Sequence, residues 1–264
     1  SLDEVLAPVL LSAPARAVFK MAGEALEQAL PFDVAAYRAE KVGARDTTIR
    51  PLAAEVGRWF GFGAVEIYVT SAAPRVCVPV YSKPVTILIG SELLGITDDR
   101  EKLFVLARAL KIAKAQLSVI VRAQPVEVLA LMAGLVQSYD PHYEAVGVEI
   151  AHVEEAARRI ARSVQRKVRD ELGPLVFEMS GRPGFAPGQL AMAASEWGNR
   201  IGLLASGSAP AAVSGLAKLS GERALPPDTA GRLAMVQRFP EAAALLTFAI
   251  SDAHFDARKR TLKG

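Results

Sequence analysis

Three groups of residues in this chain have side chains whose types and spacing could do chemistry. His152-Val153-Glu154-Glu155 sets an imidazole and carboxylates within one helical turn, which could be part of a metal site. A metal site on a helix also needs a second His or carboxylate one turn away and a third ligand from elsewhere. His142 falls across an expected helix start, so the segment reads as a solvated helix face. Cys77 is the single cysteine and sits between Val76 and Val78 in a strand-like run. A nucleophilic cysteine needs an electropositive, accessible setting and a neighbouring base; this one reads as a buried core thiol. The densest positive run is Arg158, Arg159, Arg162, Arg166, Lys167 and Arg169. A nucleic-acid surface would want such a run unopposed and interleaved with aromatics. Glu154, Glu155, Asp170 and Glu171 flank it instead, and the segment holds no aromatic residue. Arg158, Arg159, Arg162 and Arg166 are therefore expected to form a solvated or protein-facing surface, with binding of nucleic acid or acidic lipid as the alternative. No Gly-Lys-Ser/Thr phosphate loop, no G-x-G-x-x-G after a strand and no G-x-S-x-G elbow occurs.

The elements that must position these side chains follow from periodicity. Leu6, Val9, Leu10, Ala13, Ala17, Val18, Met21, Ala25 and Leu26 recur at helical spacing. The expected helix is capped by Ser12, tolerates Pro14 in its first turn and ends before Pro31. A second helix is expected over 49–60, with Pro51 in its first turn. Val65, Ile67 and Val69 then alternate with Glu66, Tyr68 and Thr70, a strand pattern. Two further strands are expected over 75–81 and 84–89, the last apolar enough for a sheet interior. From Ser91 onward the chain reads as helix. Thr97-Asp98-Asp99 caps a helix to about Val121, Pro125 opens another to about Ser138, and one long helix is expected over 148–172. A Pro/Gly loop over 181–188 precedes helices at 189–205 and 210–219 and two closing helices split by Pro240. The expected class is α+β, mostly α: a small three-stranded sheet followed by a helical bundle. Residues 1–60 are expected to be a helical segment packed on a core formed by 61–264.

One succession of elements carries more information. The strand Val85-Thr86-Ile87-Leu88-Ile89 runs into Gly90-Ser91-Glu92-Leu93-Leu94, then Thr97-Asp98-Asp99-Arg100-Glu101, then an apolar helix from Leu103 to Ile112. This order resembles the HtpX-like zinc metallopeptidases, or gluzincins, in which a strand and turn lead into a helix bearing H-E-x-x-H. Ser195-Glu196-Trp197-Gly198-Asn199-Arg200-Ile201-Gly202-Leu203-Leu204-Ala205, with Ala212-Val213 to Ala217-Lys218-Leu219 beyond it, is similar to that family's second motif, where a helix carries E-x-x-A-D. Over the two motifs, within roughly 64–220, the ligands are replaced. Arg108 stands at the first His, Ala109 at the catalytic Glu and Ile112 at the second His, while Ser195 falls at the glutamate ligand and Asn199 at the aspartate. No histidine occurs anywhere in 91–141, so a register shift restores nothing. Zinc catalysis needs three ligands and a base for the bound water. The resemblance thus implies a degenerate, non-catalytic relative, like the domains at the C-terminal ends of tetratricopeptide-repeat proteins of myxobacteria. It implies no cofactor, and partners that are other proteins, beginning with the rest of a longer parent chain. The alternative is a hydrolase whose site is not recognisable in sequence. Arg108, Lys111 and Lys114 would put positive charge on an otherwise apolar helix, which is costly unless paired; Glu196 is the expected partner.

Composition bounds these readings. At 264 residues and 51% hydrophobic the chain can bury a substantial core. One cysteine excludes an internal disulfide framework and a cysteine-based zinc site. Net charge is only +3, from 31 basic against 28 acidic residues, too balanced to argue for nucleic acid. No apolar run reaches the ~18 residues of a membrane span, and Ser1-Leu2-Asp3 has no basic n-region. The expected setting is the cytoplasm, as a piece of a longer protein.

Overall fold

The computed structural model describes residues 2–182, 185–222 and 224–261. In chain order the elements are α1 (Leu2–Leu6), α2 (Ala13–Ala29), a 3-10 turn (Ala35–Tyr37), β1 (Glu40–Lys41), α3 (Ile49–Trp59), β2 (Val65–Thr70), β3 (Cys77–Val80), β4 (Val85–Gly90), α4 (Ser91–Leu94), α5 (Asp99–Lys114) and α6 (Ser118–Arg122). There follow α7 (Pro125–Gln137), α8 (Ile150–Ser163), α9 (Arg166–Ser180), a second 3-10 turn (Pro187–Gln189), α10 (Leu190–Ser206), α11 (Ala209–Leu219), α12 (Thr229–Arg238), α13 (Pro240–Ala249) and α14 (Asp252–Thr261). The protein is α+β and mostly α, as its periodicities require. Pro183 and Gly184, within the expected loop at 181–188, lie outside the described residues.

The chain forms two compact units: Ser1–Ala7, Asp33–Lys111 and Ser195–Gly264 make one, Pro8–Phe32 and Ile112–Ala194 the other. These units cut across a division into 1–60 and 61–264. The reason is where apolar faces are buried. Val18, Phe19, Ala22, Ala25 and Leu26 of α2 are covered by α8 and α9, whereas α3 packs on β2.

The first unit holds a mixed sheet of order β1-β2-β4-β3. β2 pairs parallel with β4, from Val65 opposite Val85 to Thr70 opposite Gly90, and β3 pairs antiparallel with β4. β4 is buried along its whole length, which its Val-Thr-Ile-Leu-Ile run anticipates. The sheet has four strands rather than three. β1, pairing Glu40 with Val69 and Lys41 with Tyr68, is too short to show a period in sequence. Phe104 of α5, fully buried, is the packing centre of this unit's helices. A Cβ on Gly202 of α10 would lie 2.7 Å from its ring, and one on Gly215 of α11 would lie 2.8 Å from it. Three closing helices, α12 to α14, replace the expected two.

The second unit is helical. Ser12 caps α2 by accepting from Ala15 N, and a capping box of Gln124 and Glu127 opens α7. α7 and α8 meet backbone to backbone: a Cβ on Gly134 would lie 2.7 Å from Ala157 N and 2.9 Å from Val153 O. Two expected helices are broken. The helix over 97–121 stops at Gln116, whose φ of 57° is left-handed; Leu117 N donates to Ile112 O and Gln116 N to Ala113 O. That is the Schellman hydrogen-bond pair, usually built on glycine, so a glutamine there gave no warning. The helix over 148–172 is interrupted where Val164 and Gln165 turn extended. Val164 is buried at the break, and Arg169 donates from Nη2 to Ala161 O at 2.7 Å, satisfying a carbonyl in the last turn of α8. Arg122 of α6 pairs with Glu27 of α2 at 2.8 Å, with side-chain exposures of 6% and 8%.

Gly202→Ala should destabilise the protein by about 1–3 kcal/mol, the usual cost of overpacking, in urea melts. Gly63→Ala, where an added Cβ meets nothing within 4 Å, should stay within about 0.5 kcal/mol of wild type.

Candidate functional site

α5 begins where the Asp98 carboxylate accepts from Arg100 N at 2.8 Å, with Asp99 and Glu101 in its first turn, the arrangement the helix dipole favours. Phe104, Val105, Leu106, Ala107, Ala109 and Leu110 are all buried. Arg108 enters this apolar setting from the same helix. Its Nε donates to Asn199 Oδ1 at 2.8 Å and its Nη2 to Ser195 Oγ at 3.3 Å. Ser195 and Asn199 stand at i,i+4 on α10, hence on one face, and both are buried. Of the residues at the motif positions, three converge on one hydrogen-bonded set. Ala109 and Ile112 are also buried but contribute only apolar atoms.

Desolvation lowers the pKa of the Arg108 guanidinium, while Cys77 and Glu241 act in the opposite direction; the group keeps its charge, as guanidinium does in proteins. Burial pushes the Cys77 thiol up to about 12, against a smaller lowering by Arg108. It is an inert core thiol of β3. Lys111, one turn beyond Arg108, is 2% exposed and places Nζ 3.7 Å from the centroid of the Trp197 ring. An indole face attracts a desolvated ammonium. Trp197 was visible in the second motif, but its role over Lys111 had no sequence signal beyond the aromatic itself.

Glu196 does not pair with Arg108. It holds Arg200 at i,i+4 on its own helix, and Arg200 also donates to Leu6 O at 3.1 Å. The reason is helical geometry: successive residues are rotated by about 100°, so Glu196 cannot share the face of Ser195 and Asn199. Neutral dipoles solvate Arg108 in its place. Lys114 is exposed and incurs no burial cost.

This residue set does not fit a metal. A guanidinium offers no lone pair, Ala109 and Ile112 offer no donor atom, and a neutral hydroxyl and amide remain. Among the described residues no three His, Cys, Asp or Glu side chains gather as a metal-binding group. His142 and His152 are exposed. His254 has Nδ1 2.9 Å from Ala249 O and stands edge-on to Phe248; burial lowers its pKa. Arg158, Arg159, Arg162 and Arg166 are exposed. Arg158 meets Glu155 at 2.8 Å (i,i+3) and Glu154 at 3.9 Å (i,i+4), and Arg159 meets Glu155 at 2.7 Å (i,i+4). No helix among the described residues is long and apolar enough to cross a membrane. No family model, curated protein or solved structure matches the chain.

Asn199→Leu should cost about 2–4 kcal/mol, because it leaves a desolvated guanidinium short of an acceptor. Adding Arg108→Met should cost less than the sum of the single changes by about 0.5–3 kcal/mol, read from urea melts of all four proteins. Cys77 should resist alkylation at pH 8 in the folded protein and react at once in denaturant. Because its folded pKa is raised above the ordinary 9.0, its stabilising share is whole below pH 9 and is lost as pH rises toward about 12.

Proposed function

We propose that this chain is a non-catalytic protein-interaction or scaffold domain, a degenerate HtpX-like metallopeptidase acting within a larger bacterial protein of the cytoplasm. The observation that carries the reading is Arg108, held by Asn199 and Ser195. The resemblance puts ligand positions of a zinc peptidase at Arg108 and Ser195 and the second motif's aspartate at Asn199, and a metal centre requires just this kind of convergence between two helices. Its chemistry is inverted, because a fixed cation fills the place where a cation would be bound. An arginine there supplies the positive charge without an open coordination position, so no water is activated. What such a domain can still offer is surface, and the rest of its parent chain is the first partner to test.

Purified protein should contain no stoichiometric zinc by elemental analysis, and its melting temperature should not move on adding a chelator. About one zinc per chain together with a chelator-sensitive melt would overturn the reading.

A further inference from the structure

The break between α8 and α9 has a consequence for the basic run. On one unbroken helix Arg158 and Arg169 would share a face but stand about 16 Å apart along the axis. With the chain extended at Val164 and Gln165, both arginines line one cleft of about 270 Å³, together with Tyr139, Ile160, Ala161 and Val164. Ile160 and Val164 are buried and apolar, so the floor is greasy while guanidinium groups and a phenol form the rim. Burial raises the pKa of Tyr139, which keeps its hydroxyl a donor at neutral pH. The volume is below the ~300–1,000 Å³ of drug-sized sites, enough for one ring or a short alkyl chain.

We propose that this cleft binds a small carboxylate with an apolar body, such as a short fatty acid or an aryl acid. Guanidinium forks match carboxylates in geometry and charge. Arg158 is held elsewhere only by exposed ion pairs with Glu154 and Glu155, and exposed pairs are worth about 0–1 kcal/mol, so an anion can displace them. Arg169 uses Nη2 on Ala161 O and keeps its other N–H groups for a ligand. The apolar floor supplies the rest of the affinity through burial of the alkyl or aryl body. None of the residues lining this cleft belongs to the Arg108 cluster, and the proposal stands or falls independently of the non-catalytic reading.

The test is calorimetric titration of the full chain with octanoate, with octanol as the uncharged match and acetate as the headgroup alone. Octanoate should bind, octanol at least tenfold more weakly and acetate not measurably. Arg158→Gln and Arg169→Gln should each weaken octanoate at least fivefold, and raising salt should weaken it further. Because Arg169 also caps α8, Arg169→Lys and the exposed Arg158→Gln guard against a folding defect; melting curves for each would show it. Octanoate failing to bind would overturn the proposal. So would equal binding of octanol, or undiminished binding in a folded Arg158→Gln protein.

Discussion

A cation withdrawn from water must be given back its hydrogen bonds or it will not stay. Arg108 is that cation here, and much of the first unit is arranged around it. Phe104 to Ala107, Ala109 and Leu110 of α5 are buried around it, and the guanidinium itself is partly buried. α10 answers with an amide and a hydroxyl at i,i+4 spacing, and the distances allow both to accept. One turn further along, the Lys111 ammonium is taken up by the face of Trp197. An amide and a hydroxyl accept from Arg108, and an aromatic face lies against the Lys111 ammonium. Close approach of α5, α10 and α11 is what brings these groups within reach, and Gly202 and Gly215 against Phe104 permit it.

The residues that the resemblance compares with a peptidase motif, Arg108, Ser195 and Asn199, meet in this arrangement. The strand, turn and helix order from Val85 to Ile112 leads from a fully buried strand into a helix buried at Phe104 to Ala107, Ala109 and Leu110. A second helix then presents two residues to it from one face. A metal centre and an arginine clamp ask the same thing of the backbone, which is convergence of side chains from two helices. They differ only in whether the central charge is bound from outside or built in.

What could be read from sequence, and what could not, divides on physical lines. Ser12 as a cap, β4 as an interior strand, Cys77 as a core thiol and the ion pairs of α8 follow from local chemistry and were legible. Arg108, Ser195 and Asn199 were singled out only as positions of a resemblance, and their hydrogen bonds to one another were not foreseen. The partner of Arg108 was misread: charge alone suggests Glu196, whereas helical phase excludes it. The breaks at Gln116 and at Val164-Gln165 were invisible, since neither glycine nor proline marks them. Both are imposed by packing and by hydrogen bonds between residues that sequence periodicity does not join. β1 escaped for a simpler reason, because two residues carry no period. The extended link at Val164 is the one missed feature that changes a chemical surface, by turning a basic run into the rim of a cleft.

The first unit is organised on Arg108 as a hydrogen-bonded cation. The most direct measurement is the exchange of its Nε–H with solvent, followed by nitrogen-15 NMR with Arg108→Lys used to assign the signal. The structure requires a resolved Hε resonance that exchanges far more slowly than those of exposed arginines such as Arg162 and that speeds up in Asn199→Leu. An Arg108 Nε–H that exchanges as fast as Arg162, or that is unchanged in Asn199→Leu, would contradict it.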